Sequence, residues 1–114
     1  MARKRYKVDA LASNNAALIQ AGPTGIATVF ANNAAASARY VRFFDKATAP
    51  TVGTDVPVAV ITLPASTSKE IPLKYDLEFT LGLGVAITGA APYNDNTSVS
   101  AHDVQLFVVY DDLK

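Results

Sequence analysis

The stretch "VQLFVVYD", residues 104–111, decides the fold. In an extended chain Val104, Leu106, Val108 and Tyr110 fall on one face and Gln105, Phe107 and Val109 on the other, the pattern of a central strand covered on both sides. The same period of two recurs upstream. In "RYVRFFD", residues 39–45, Val41 and Phe43 face one way and Tyr40, Arg42 and Phe44 the other, with arginine stems lying along an aromatic surface. "GIATVFAN", residues 25–32, is another strand, ended by Asn32 and Asn33. "VPVAVITL", residues 56–63, is β-branched and bounded by Pro50, Gly53 and Pro64; Pro57 at its second position suits a strand start or a sheet edge. "YDLEFTLGLGVAITG", residues 75–89, alternates from Leu77 to Ile87 and is too long for one strand, so it divides near Gly82 and Gly84. "SKEIPL", residues 68–73, supplies a short edge strand marked by Pro72.

Helical signals are poor. "NNAAASARY", residues 32–40, has helix-favouring alanines but no apolar stripe at helical spacing, and reads as a hairpin turn holding no more than a turn of helix. The long connection "KATAPTVGTDVP", residues 46–57, reads as a crossover between two sheets. Six to eight short strands roughly ten residues apart, with turn signals between them, give an all-β chain, an antiparallel β-sandwich or jelly roll in a single domain. The expected division is a basic N-terminal arm over residues 1–15 and a sandwich over residues 16–114.

The chain has 114 residues, half of them apolar, and a formal net charge of zero. One domain of that size buries roughly two thirds of its unfolded surface. Neutrality argues against a nucleic-acid partner, which calls for a strongly basic footprint. With no cysteine, disulfides, thiolate zinc sites and cysteine nucleophiles are excluded. The basic start resembles that of a signal peptide, but Asp9, Asn14 and Asn15 interrupt any apolar run, so no export signal is expected. No stretch is long and apolar enough to span a bilayer, and a cytoplasmic site of synthesis is expected. Alanine enrichment leaves little apolar volume per residue, which points to support from neighbouring copies.

Candidate chemistry is sparse. His102, beside Asp103 and near Ser98 and Ser100, could sketch a hydrolytic triad, yet adjacent strand residues point to opposite faces; the reading is a loop histidine capping a turn. Glu70 and Glu78, the only glutamates, fall on solvated strand or turn positions rather than facing each other as a glycosidase pair. "GLGVAITG" lacks the following helix of a phosphate-binding loop and is a bend in a strand. Tyr93, Asn94, Asp95 and Asn96 form a possible ligand loop: its oxygens could hold calcium and Tyr93 could stack on a sugar, but the spacing is that of an ordinary turn, and neither metal nor cofactor is expected. The cluster Arg3, Lys4, Arg5, Tyr6 and Lys7 is the candidate partner-binding arm.

The order "ARYVRFFDKATAPTVGTDVPVAVITLPAS" followed by "YDLEFTLGLGVAITGAAPYNDNTSVSAHDVQLFVVY" resembles a family of small β-sandwich structural proteins of tailed bacteriophages. There a "Y(V/L)(K/R)(F/L)(Y/F)(D/N)KA" strand leads into an "APTVGTD.P" loop, an "IP" strand, an "F..G(L/I)..A(I/V)TG" segment and a last strand. The likeness spans residues 26–110, and "FFDKATAPTVGTDVP" is its specific part. The chain departs from the pattern in its basic start and its acidic Asp111-Asp112 end.

The resemblance implies a non-enzymatic virion component and leaves its place in the particle open; a capsid decoration or cement protein bound to a major capsid protein or another virion protein is expected foremost, because the chain is short, neutral and free of fibre-like repeats and its basic arm suits clamping onto a lattice. A tail or receptor-binding component that recognises a surface glycan is the alternative. The small, alanine-rich sandwich makes a homo-oligomer the expectation, with a trimer favoured because three-fold symmetry is common on capsids. Members of the family share no catalytic residues, so none are carried over.

Overall fold

A computed structural model describes residues 3–113; Met1 and Ala2 of the expected arm and Lys114 of the expected sandwich lie outside the described residues. The described residues form nine strands and no helix: β1 (Arg3–Asp9), β2 (Ala17–Ala21), β3 (Thr24–Asn33), β4 (Arg39–Asp45), β5 (Ala59–Leu63), β6 (Thr67–Pro72), β7 (Glu78–Phe79), β8 (Gly82–Thr88) and β9 (Val104–Asp112). All their pairings are antiparallel: β1 with β9, β2 with β8, β3 with β6 and β7, and β4 with β5. The chain is therefore one long ribbon doubled back at the β4–β5 connection. It is rolled so that β9 also pairs β3 and β8 also pairs β4. The roll yields a front sheet, β1-β9-β3-β6 with β7 beside β3, and a back sheet, β2-β8-β4-β5. This is the jelly-roll wrap, a β-sandwich as the period-two segments require.

The core between the sheets follows that alternation. The front sheet contributes Ile26, Val29, Ala31, Val104, Leu106, Val108 and Tyr110, and the back sheet contributes Val41, Phe43, Leu63, Leu83, Val85 and Ile87, all buried. Phe43 stands opposite Val85, and Val29 opposite Val108, so large side chains meet in register within each sheet before packing across the sandwich.

Two connections are exchanged relative to the sequence reading. Residues 46–58, expected to cross between sheets, join β4 to its neighbour β5 within the back sheet. The short link expected as a hairpin, residues 34–38, is the one that crosses, from β3 in front to β4 behind. Asn33 makes that corner: its amide nitrogen donates to the carbonyls of Ser37, Leu63 and Pro64, at 2.9–3.1 Å, while its oxygen accepts from Ala35 N–H. One buried side chain thus replaces the backbone bonds that the turn gives up.

Further differences have local causes. Val56 to Val58 precede β5 rather than belong to it, because Pro57 has no N–H to continue the ladder; only Val58 N–H bonds back, to Phe43. The alternating run breaks at Thr80 and Leu81, just before Gly82, where an added Cβ would stand 2.5 Å from the Lys46 carbonyl oxygen. Within the expected basic arm, residues 1–15, Arg3–Asp9 form β1 and are held by β9 of the same chain along the whole strand. Phe107 is not covered: its face of β9 is half-exposed.

Phe43→Ala is accordingly expected to cost about 3–5 kcal/mol, as for other fully buried aromatics, while Phe107→Ala costs about 1 kcal/mol because its ring already meets water. Chemical denaturation of the two variants checks this; equal losses would show that the Phe107 face of β9 is buried as deeply as the core.

Candidate functional site

The outer faces of the two sheets are treated differently by the chain. Every residue of β8 is buried, on both faces, because two loops lie over the back sheet. Pro50, from the 46–58 loop, sits against Gly84, close enough that an added Cβ would approach its Cδ to 3.1 Å. Asp45 fastens the same region by accepting from the backbone N–H groups of Thr80, Leu81 and Gly82 at 2.8–3.3 Å. The loop is closed by Lys46 Nζ to Asp55 Oδ2 at 2.6 Å, and the same carboxylate accepts from Thr51 N–H. Gly53 supplies the positive φ of 98° that this turn needs.

The second covering loop, residues 89–99, is held by Arg42. Fully buried on the outer face of β4, its guanidinium donates to Thr88 Oγ1 at 2.7 Å and to the carbonyls of Ala90 and Tyr93. Burial lowers the Arg42 pKa, with the charge of Asp95 acting the other way. Within this loop Asp95 accepts from Thr97 Oγ1, Thr97 N–H and Ala90 N–H. Those bonds hold its carboxyl low against the opposing effect of burial. The four residues of the possible ligand loop therefore divide: Asp95 is engaged internally, while Tyr93, Asn94 and Asn96 are exposed, and Asn96 packs over Gly53.

The front sheet has no such cover over most of its outer face, which carries a shallow depression of about 560 Å³. Its floor is Phe30 and Phe107, stacked at 5.9 Å between ring centroids. Residues directly opposite each other on neighbouring strands share a face. One row across the sheet is therefore Lys7, Phe107, Phe30 and Glu70. The next is Asp9, Gln105, Asn32 and Ser68, joined side chain to side chain by hydrogen bonds of 2.8 Å each. In the other direction lie Arg5 with Val109, and then Arg3 with Asp111.

The five residues of the basic cluster separate by parity. Arg3, Arg5 and Lys7 project from the front face, whereas Tyr6 packs against the core edge and Lys4 reaches Gln20 Oε1 at 3.2 Å. Arg3 binds the Asp111 carboxylate through Nε and Nη2, both at 3.1 Å, and Tyr75 hydroxyl donates to the same carboxylate. Their hydrogen bonds hold Asp111 below the usual carboxylate range and raise Arg3.

The triad sketch does not assemble. His102 Nδ1 meets Asp9 Oδ2 at 2.7 Å, and Asp103 accepts from Arg39 Nε at 3.0 Å and from Ser100 N–H. Glu70 and Glu78 lie on different strands of the front sheet, both exposed. Sequence reasoning missed the exposed Phe30–Phe107 floor; the available signal was the alternation of Arg5, Lys7 and Asp9 with Tyr6, Val8 and Ala10, which is that of a strand with one wet face.

No model of a known protein family matches the sequence, and no curated protein matches it. Among solved structures the chain is similar to the coat protein of Tobacco streak virus, in a C2 crystal form at 2.1 Å, with 11% identity, 96% of this chain and 85% of that chain covered, and a TM-score of 0.38. A similarity at that level assigns no function.

Asp111, held by Arg3 and Tyr75, and Asp55, held by Lys46 and Thr51 N–H, both have folded pKa values below their unfolded ones. Such groups stabilise the fold above the unfolded pKa and lose that contribution as pH falls through the folded value. The melting temperature is therefore expected to be nearly flat from neutrality down to about pH 5 and to fall steeply below about pH 4. Asp111→Asn should flatten that acid limb in thermal melts; an unchanged limb would remove Asp111 from its cause.

Proposed function

We propose that the chain is a non-enzymatic virion structural protein of a tailed bacteriophage, and specifically a decoration or cement protein on the head. The observation that carries this reading is what the specific part of the resemblance does. In "FFDKATAPTVGTDVP", Phe43 fills the core and Asp45 caps the turn before β8. Lys46 and Asp55 close the loop, Pro50 seals Gly84, and Gly53 makes the bend. The shared residues maintain a covered sandwich, as a passive building block requires, and the charged side chains of the motif, Asp45, Lys46 and Asp55, are engaged in holding the loop.

Attachment through a mobile arm needs a free segment, and Arg3–Asp9 is a strand. In this reading the shell is met instead by the apolar end of the molecule where β4 leaves the back sheet. Val56, Val58 and Leu81 are each more than half exposed there, beside Phe43 and Asp45, to which Val58 N–H and Leu81 N–H bond. Single exposed apolar residues are ordinary, but three at one end form a contact patch. Each copy contributes a small area, and many copies on a lattice stabilise the shell by bridging the subunits of the major capsid protein. The alternative, a tail component that reads a glycan, draws on Tyr93, whose ring is 66% exposed.

Cryo-electron microscopy of particles from the phage that encodes the chain tests the assignment. Density on the outer head lattice is expected; density confined to the tail, together with binding on a glycan array, supports the alternative instead. The double variant Val56→Asp, Val58→Asp should fold, since both side chains face water, yet be lost from particles by mass spectrometry. Wild-type incorporation would sink the contact patch. Truncation through Lys7 is a poorer test, because it strips β1 from β9 and unfolds as well as detaches.

A further inference from the structure

We infer that the open outer face of the front sheet is the interface of a two-fold homodimer, in which the Phe30–Phe107 floor of one copy packs on that of the other. The inference stands apart from the virion reading, and its occupant, a second copy of this chain, is chosen by charge.

The face is organised along the row Lys7, Phe107, Phe30, Glu70, with the basic strand β1 at one edge and the acidic residues of β6 and β7 at the other. Consider a two-fold axis lying parallel to the strands, between β9 and β3. It turns a second copy over onto the first and reverses the order of the row. Phe107 then meets Phe30 of the second copy, and Lys7 meets Glu70 of the second copy, each contact occurring twice as an isologous interface demands. Arg5, one row along, falls between Glu70 and Glu78 of the second copy. An axis across the strands would instead lay β1 on β1 and oppose like charges. Charge alone therefore selects the axis along the strands, and that axis keeps the strands of the two copies nearly parallel, as in aligned sheet packing.

Two further observations fit. Among the described residues, Arg5, Lys7, Glu70 and Glu78 enter no ion pair and no side-chain hydrogen bond. Their opposite signs are segregated to opposite edges of one face, which is the layout a partner of the same kind can answer. The middle of the back sheet, β8 and most of β4, is by contrast already covered by the chain's own loops, so the front face is the more open of the two. Four strands at their usual spacing, each about seven residues long, present a flat footprint of roughly 450 Å² per copy. That is about 1,000 Å² or somewhat more of accessible surface in total, at the lower end of specific interfaces. A dimer with a micromolar dissociation constant is the expected strength, and it is a two-fold rather than the three-fold expected from capsid symmetry.

Native mass spectrometry and light scattering on the purified full chain, at up to about 100 μM, read the result. A dimer is expected. Lys7→Glu and Glu70→Lys should each weaken it at least about tenfold, because each places like charges opposite twice, and the double variant Lys7→Glu, Glu70→Lys should restore it. Phe107→Asp should leave a monomer with an unchanged β circular-dichroism spectrum. A wild-type monomer or trimer at the highest concentration overturns the inference. So does a dimer indifferent to Lys7→Glu, or a double variant no stronger than the single ones. The charge variants lie on exposed side chains, so loss of association in them is not loss of the fold.

Discussion

The seven residues of β8 are buried on both faces, and a sheet buried on both faces has to be covered by something. In a chain with no helix among its described residues, only loops can do it. That requirement explains why the two longest connections exist, why glycines stand at Gly82 and Gly84 where Lys46 and Pro50 come close, and why a charge is tolerated beneath one of the loops. Arg42 is the unusual member. A buried guanidinium is costly unless its donors are met, and here Thr88 Oγ1 and two loop carbonyls meet them. The guanidinium in turn ties the loop to β4 through those carbonyls. Removing the loop would leave the donors of a buried cation unmet.

Covering one sheet and not the other gives the molecule a direction. The middle of the back is finished: β8 and most of β4 lie beneath loops held by inward hydrogen bonds. The front is a plain sheet face with a stacked phenylalanine pair, a ladder of amide and hydroxyl groups beside it, and opposite charges at its two edges. A ladder of that kind keeps Asn32 and Gln105 hydrogen-bonded to side chains, so the face can lose water there at little cost. Exposed rings next to satisfied polar groups are the composition of an interface core and its rim, rather than of a cleft built to hold a small molecule.

How much of this was legible in the chain depends on where each residue's neighbours lie. β4 and β9 were readable to within a residue because large apolar side chains recur at every second position of each, bounded by polar residues. β1 and β2 were not, since "RKRYKVD" looks like a solvated tail until β9 is placed beside it, and "ALIQA" is too short and too small to announce a strand. The crossing of residues 34–38 was hidden for a different reason. Length suggested that the longer loop must travel farther, whereas the longer loop was needed as a lid and the short one turns a corner on the side chain of Asn33. The two faces of β9 looked alike in sequence because covering is decided by loops far along the chain, and Phe107 happened to lie where none arrives. The covering residues of the motif were legible from the resemblance, but their purpose was not.

Edge strands set the remaining constraint. A rolled sandwich leaves β1 and β6 as the edges of its front sheet, each with backbone groups able to pair with another chain. β1 carries Arg5 and Lys7, and β6 carries Lys69, Glu70 and Pro72, so edge-to-edge extension would bring ions, and a proline without an N–H, into the ladder. The same charges that discourage growth through the edges are the ones that orient packing through the face. Association is thereby steered from an open-ended mode, which would build fibres, to a closed two-fold that stops at two copies. The distinction matters most at high concentration, where every copy has close neighbours to which an unguarded edge would bind.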